Sequence, residues 1–185
     1  ELIEAFTIER ALCSPAQFDI RKLTNMNGAY IAEMDPADFR AQIAPFIAKL
    51  CPEGVGSPIL GKVADLMHSR TKTFADVAHW NYFFRKADAL EYDPKGLKKL
   101  LGDDTVRKAV AEFGEKVKTL PSLTVQAIDD LIHSIEAENG IQQDKLKQPL
   151  RIASTGSTIG AGICETIELL GAEESAVRIA RALSL

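Results

Sequence analysis

At Ser14-Pro15 and again at Asp35-Pro36, a short side chain with a capping oxygen is followed at once by proline. The oxygen accepts hydrogen bonds from the unpaired N–H groups of a first helical turn, and proline's fixed φ suits the first helical position. After the first pair, Phe18, Leu23, Met26, Tyr30 and Ile31 recur at near-helical spacing. After the second, Asp38 sits in the first turn, and Phe39, Ile43, Phe46, Ile47 and Leu50 form the next apolar stripe. Asp93 repeats the device before Pro94. Segments that alternate apolar and polar residues with period two are nearly absent. The chain is therefore restricted to an all-α fold.

The breaks between these stripes divide the chain. CPEGVGSP, residues 51–58, is a loop and the expected junction between two helical subdomains, residues 1–52 and 53–185. Further helices are predicted at 59–69, 74–84, 94–101 and from Asp103 or Asp104 to Thr119. The stripe Val125, Ile128, Leu131, Ile132 and Ile135 ends at Asn139-Gly140, a left-handed C-cap signal. Two last helices, GICETIELLG and EESAVRIARALSL, meet at Gly171. The stretch QPLRIASTGSTIGAGICE, residues 148–165, reads instead as a hydroxyl-rich loop. Gly156, Gly160 and Gly162 remove side chains from a short arc, and Ser157 or Thr158 is placed to cap the next helix. Backbone N–H groups exposed at a helix start hold anions and base edges. A tight interhelical turn is the other reading.

Catalytic chemistry finds no footing. Cys13, Cys51 and Cys164 are scattered without a CxxC spacing, which points to a reducing, cytoplasmic setting with no disulfide framework and no zinc site. His68, His79 and His133 have no carboxylates at ligand spacing, so no metal is expected. Asp129-Asp130 and Glu173-Glu174 are adjacent pairs whose side chains diverge by about 100° on a helix, as solvated faces do. GSTIGAG lacks both the preceding strand and the closing lysine of a phosphate loop. No apolar run approaches the roughly 18 residues of a membrane span, and the start ELIEAFTIER is no signal peptide. It opens in mid-pattern without methionine and reads as a piece of a longer chain.

A net charge of −4 argues against nucleic-acid binding, but residues 60–120 hold 12 Lys/Arg against 9 Asp/Glu. Arg70 stands at a helix junction, where a guanidinium reaches a base edge bidentately or simply caps the helix end. Arg151 precedes the glycine loop, with Glu165 as the alternative salt-bridge partner. In HWNYFF, Trp80, Phe83 and Phe84 are assigned to the core rather than to base stacking.

Three ordered blocks carry a resemblance. SPAQFDIRKLTNMNGAYI resembles the SPA-x-FD-x-x-KL-x-x-x-N-x-x-YI segment that follows the catalytic half of bacterial glutamyl-tRNA synthetases of the discrete type. MHSRTKTFADVAHWNYFF is similar to their R-x-K-T-L-x-E-L stretch, and QPLRIASTGSTIGAGICETIELLGAEESAVRIARAL to their closing PLR-x-A-L-T-G…R-I-x-x-A-L segment. The resemblance implies the C-terminal part of a class I aminoacyl-tRNA synthetase: stem-contact helices followed by a helical anticodon-binding region. No HIGH-like or KMSKS-like motif occurs, so the resemblance places glutamate, ATP and Mg²⁺ with the catalytic domain of the parent enzyme and gives this part no cofactor and no catalytic residue.

Residue by residue, the resemblance implies that Lys22 and Asn27 meet the tRNA stem, that Arg70 reads the first anticodon base, and that Arg151, Gly160, Ala161 and Ile163 meet the last ones. Gly160-Ala161 stands where some members have Thr-Pro, which leaves backbone contact and Ile163 packing there. The implied partners are a glutamate-accepting tRNA and the N-terminal catalytic domain of the same chain, in a cytoplasmic monomer with no membrane contact. The competing reading is a helical protein–protein adaptor without RNA binding.

Overall fold

The structure, a computed structural model, describes residues 18–185, so the Ser14-Pro15 start and Cys13 lie outside it. The described residues form nine α-helices with short 3₁₀ segments and no strand: α1 (Ile20–Ala32), α2 (Pro36–Leu50), α3 (Leu60–His68), α4 (Pro94–Leu100), α5 (Asp104–Lys116), α6 (Val125–Glu138), α7 (Lys147–Thr155), α8 (Ile163–Leu170) and α9 (Ala172–Ser184). The cap signals act as expected. The Asp35 carboxylate accepts from the Ala37 N–H at 2.8 Å, Asp93 from Lys95 at 3.1 Å and Asp103 from Thr105 at 2.8 Å. Gly140 follows α6 with φ +65°, and Gly171 separates α8 from α9 with φ +86°.

Two apolar clusters organise these helices. The first joins Ile31, Phe39, Ile43 and Ile47 to Val63, Trp80 and Phe83. The second joins Val110 and Phe113 of α5 to Ile128 and Ile132 of α6, Leu150 of α7, Ile167 of α8 and Ile179 of α9. The loop 51–58 lies against the first cluster, in which Cys51 is fully buried and to which the helices on both sides of the loop contribute. Ala161 also joins this cluster, from the loop before α8.

Three local features differ from expectation. Residues 148–165 are not one loop. Their first half is α7, where Pro149, Leu150 and Ile152 through Thr155 are all buried, so core packing overrides a composition poor in helix formers. Residues 74–83 form a 3₁₀ helix rather than an α-helix. Val77, Trp80 and Phe83 are buried at a spacing of three, which lines them up on one side of a three-residue-per-turn helix. In the described residues α1 opens at Asp19, whose carboxylate accepts from the Arg21 and Lys22 N–H groups. Its stripe faces outward: Ile20, Leu23, Met26 and Tyr30 are exposed, and Ile31 alone of α1 is buried.

Candidate nucleic-acid interface

Arg70 follows α3 by two residues, with its N–H on the Met67 carbonyl at 3.0 Å and its Nη1 on the Leu66 carbonyl at 3.1 Å. One donor thus caps the helix end, and the rest of the exposed guanidinium remains available. The next turn is built by a capping box. The Thr73 hydroxyl donates to Asp76 Oδ1 at 2.7 Å, while the N–H groups of Lys72 and Thr73 donate to Oδ2 at 2.8 and 3.1 Å. Burial works to raise the Asp76 pKa, but these three donors outweigh it and hold the carboxyl below its ordinary value.

This turn forms one wall of a cavity of about 470 Å³, lined by Arg70, Thr71, Asp76, His79 and Tyr82 from one segment and by Ser157, Ile159 and Gly160 from the other. The opposite wall is the loop after α7. Gly156 ends that helix with φ +75°, and its carbonyl accepts from the Asp93 N–H at 2.8 Å. The Thr155 hydroxyl accepts from the Ser157 N–H, and the Ser157 hydroxyl from the Ile159 N–H at 3.1 Å, so the hydroxyls shape their own turn. Ile159 is left 83% exposed at the tip.

Tyr82 links the two segments. Its hydroxyl accepts from the Ala161 N–H at 3.4 Å, and a Cβ at Gly160 would come within 3.0 Å of that oxygen. Burial raises the Tyr82 pKa against the lowering pull of the Ala161 N–H, Arg151, Thr166 and Arg70, so the phenol stays protonated at neutral pH. Both guanidiniums therefore act on one buried hydroxyl. Sequence reading missed Tyr82, because an aromatic run at core spacing carries no mark of which ring reaches the cavity.

The other expected residues divide. Arg151, half-buried within α7, donates through Nη1 to the Ala161 carbonyl and lies 3.5 Å from the position a Gly160 Cβ would take. Burial lowers its pKa, Tyr82 and Glu165 pull it up, and no Glu165 salt bridge forms. Ala161 and Ile163 do not reach the cavity. Both are buried, Ala161 in the first cluster and Ile163 in the second, and the N–H and carbonyl of Ala161 are taken by Tyr82 and Arg151. The start of α8 is not the open anion site expected there. Gly162, not a hydroxyl side chain, is the N-cap, and the Glu165 carboxylate folds back against Gly162, so the negative charge at that helix start is the chain's own.

Asn27 donates to the Lys72 carbonyl at 2.5 Å, and Lys72 Nζ to Asn25 at 2.8 Å, which ties α1 beside the Arg70 turn. Lys22 is exposed on α1. Among the described residues no group of three His, Cys, Asp or Glu is placed to hold a metal, and no helix is long and apolar enough to cross a membrane.

An open cavity with the Arg70 guanidinium, a protonated phenol and a glycine wall, and with Arg151 behind that wall, fits a planar, hydrogen-bonding ligand. The family described as anticodon binding domain matches residues 38–183. The chain is 32% identical over 189 residues to glutamate–tRNA ligase 2 of Rubrobacter xylanophilus, covering 99% of this chain and 38% of the relative. It is 33% identical over 188 residues to the glutamate–tRNA ligase of Moorella thermoacetica, covering 98% of this chain and 38% of the relative. It thus spans less than two-fifths of the length of these curated relatives. Its fold matches the crystal structure of a glutamate–tRNA ligase from Elizabethkingia meningosepticum with a TM-score of 0.75 at 22% identity, over 99% of this chain and 36% of that one. The cavity lies within the matched segment, and the chain belongs to the anticodon-binding domain family.

Proposed function

We propose that this chain is the tRNA-binding, C-terminal part of a glutamate–tRNA ligase, and that the Arg70–Tyr82–Gly160 cavity receives an unstacked anticodon base. The observation that carries this reading is the meeting of Arg70 with Ser157, Ile159 and Gly160 across one open cavity. Arg70 offers donors to a base edge, Gly160 lets the base approach backbone, and exposed Ile159 supplies an apolar surface at the rim. Arg151 acts behind the wall, holding the Ala161 carbonyl and lending positive charge.

Glutamate, ATP and Mg²⁺ belong to the part of the enzyme beyond this chain, so titration calorimetry of the chain with ATP gives no binding heat. The outward stripe of α1, with exposed Ile20, Leu23, Met26 and Tyr30, supports its packing against that catalytic part, and exposed Lys22 supports a contact with the tRNA backbone. The division into residues 1–52 as stem-contact region and 53–185 as anticodon-binding domain belongs to the same reading, as do a cytoplasmic location and a monomeric state.

The test is binding of anticodon stem–loop RNAs that differ at one anticodon base. Arg70→Ala should reduce the preference among them by on the order of tenfold, the value of about one good base-edge contact. Its affinity for the least favoured RNA should barely change. Equal loss for every stem–loop would make Arg70 a phosphate contact. No binding even at low salt would favour the protein-adaptor reading.

A further inference from the structure

Arg178 on α9 is only 1% exposed and is among the largest fully buried side chains of the protein. Its guanidinium spends four N–H bonds on three separate segments. Nε donates to Glu174 Oε1 at 2.9 Å; Nη1 donates to the carbonyls of Tyr82 at 2.7 Å and Ser154 at 3.0 Å; Nη2 donates to the carbonyl of Arg85 at 2.5 Å. Tyr82 lines the cavity, and Ser154 lies two residues before Gly156, where the opposite wall begins. One rigid, planar group therefore fixes the backbone behind both walls.

Burying a guanidinium is costly unless its donors are used, and an apolar side chain would pack the same space more cheaply. What an apolar residue cannot supply is a fixed spacing between diverging carbonyls, which the planar fork does. The direct bond between the two segments, from the buried Ala161 N–H to the Tyr82 hydroxyl, is long at 3.4 Å and holds them weakly.

We propose that Arg178 is a positioning residue that sets the width of the Arg70–Gly160 cavity, and so the selectivity of base binding, without touching RNA. This rests on the reading of that cavity as a base-binding site. Lysine in its place keeps the charge but loses the fork, so the walls lose their common anchor while the helices keep their apolar cores.

The experiment uses Arg178→Lys in the whole chain, with helicity and melting followed by circular dichroism as a check of folding. Two readouts are specific to positioning. The preference between stem–loops differing at one base should fall by about tenfold, while the salt dependence of binding stays as in the wild type. Trp80, the single tryptophan of the chain, is fully buried beside the cavity, and acrylamide should quench its fluorescence more readily in the variant. A folded R178K protein in which either readout is unchanged overturns the proposal. If R178K does not fold, Glu174→Gln, which removes the guanidinium's counter-charge, must shift both readouts in the same directions by smaller amounts; unchanged readouts there overturn it equally. A wild-type chain that prefers no stem–loop sinks the base-binding reading instead, a result distinct from a failure of Arg178.

Discussion

Gly156 is where the glycine loop and the rest of the fold make their closest approach, and it permits a quantitative test. Its φ of +75° is left-handed, and a Cβ there would overlap the Glu91 carbonyl oxygen, with the Glu91 carbonyl carbon at 2.9 Å and Tyr92 Cα at 3.4 Å. All three are backbone atoms that cannot swing aside. Gly140 is also left-handed, at +65°, in the turn that closes α6, where its N–H donates to the Ala137 carbonyl and that of Ile141 to Glu136, but a Cβ there meets nothing within 4 Å. Gly140→Ala therefore carries strain alone, about 1–2 kcal/mol. Gly156→Ala carries the same strain and must also push residues 91–93 away, breaking the bond from the Asp93 N–H to the Gly156 carbonyl, 2.8 Å long in the native chain. Leaving those partly buried groups unpaired adds about 1–3 kcal/mol. For a chain of this size 1 kcal/mol moves Tm by about 2–4 °C. Thermal unfolding followed by circular dichroism should thus show a loss of about 10 °C for G156A and about half that or less for G140A. Equal shifts for the two variants would refute the close approach, whatever their absolute size.

The remaining expectations concern charge and thiols. Lys22→Ala should weaken every stem-bearing tRNA alike and lower the salt slope by about one, measured by binding across ionic strengths; a loss that depends on the anticodon would misplace its contact. Burial pushes the Cys51 and Cys164 thiols up to about 11, so neither should be alkylated by iodoacetamide in the native chain at pH 8, as peptide mapping would show. Hydrogen bonds from Lys147 hold the Asp129 and Asp144 carboxyls below the ordinary 3.8. Depressed carboxylates stabilise the fold above that value and lose their contribution as pH falls through the lower folded values. The stability gap between wild type and Lys147→Met should therefore be full near neutrality and shrink below about pH 4 in urea titrations; a gap constant with pH would exclude these ion pairs as its cause.

What could be read from the sequence follows how local each signal is. Asp35, Asp93 and Asp103 cap helices through N–H groups two or three residues away, and Gly140 and Gly171 turn the chain through their own φ, so these were legible. The helix-end position of Arg70 was legible for the same reason, being fixed by the helix it ends. The failures are contacts across the fold. Tyr82 and Ala161 meet across 79 positions, and Arg178 and Tyr82 across 96. No spacing rule reaches so far. The α7 helix was missed because Ser154, Thr155 and Gly156 look like a loop until the second cluster buries the first two at its end.

The acidic total of the chain is also a poor guide to its partners. Lys116 is paired with Glu112 and Glu138, Lys118 with Glu115, Lys147 with Asp129 and Asp144, and Arg178 with Glu174. Charges engaged in this way present little field to an approaching polyanion. Among the described residues Arg70 and Arg151 form no ion pair; each is bonded to a carbonyl, which orients the guanidinium without cancelling it. Beyond roughly a Debye length the surrounding carboxylates are screened, at about 8 Å in physiological salt. On the proposed reading, a base at the cavity therefore meets the Arg70 guanidinium, the Tyr82 hydroxyl and an Asp76 carboxylate already engaged by three donors, with Arg151 behind the wall, rather than the formal charge of −4. Local pairing, not the sum over the chain, decides whether an acidic protein offers RNA a place to bind.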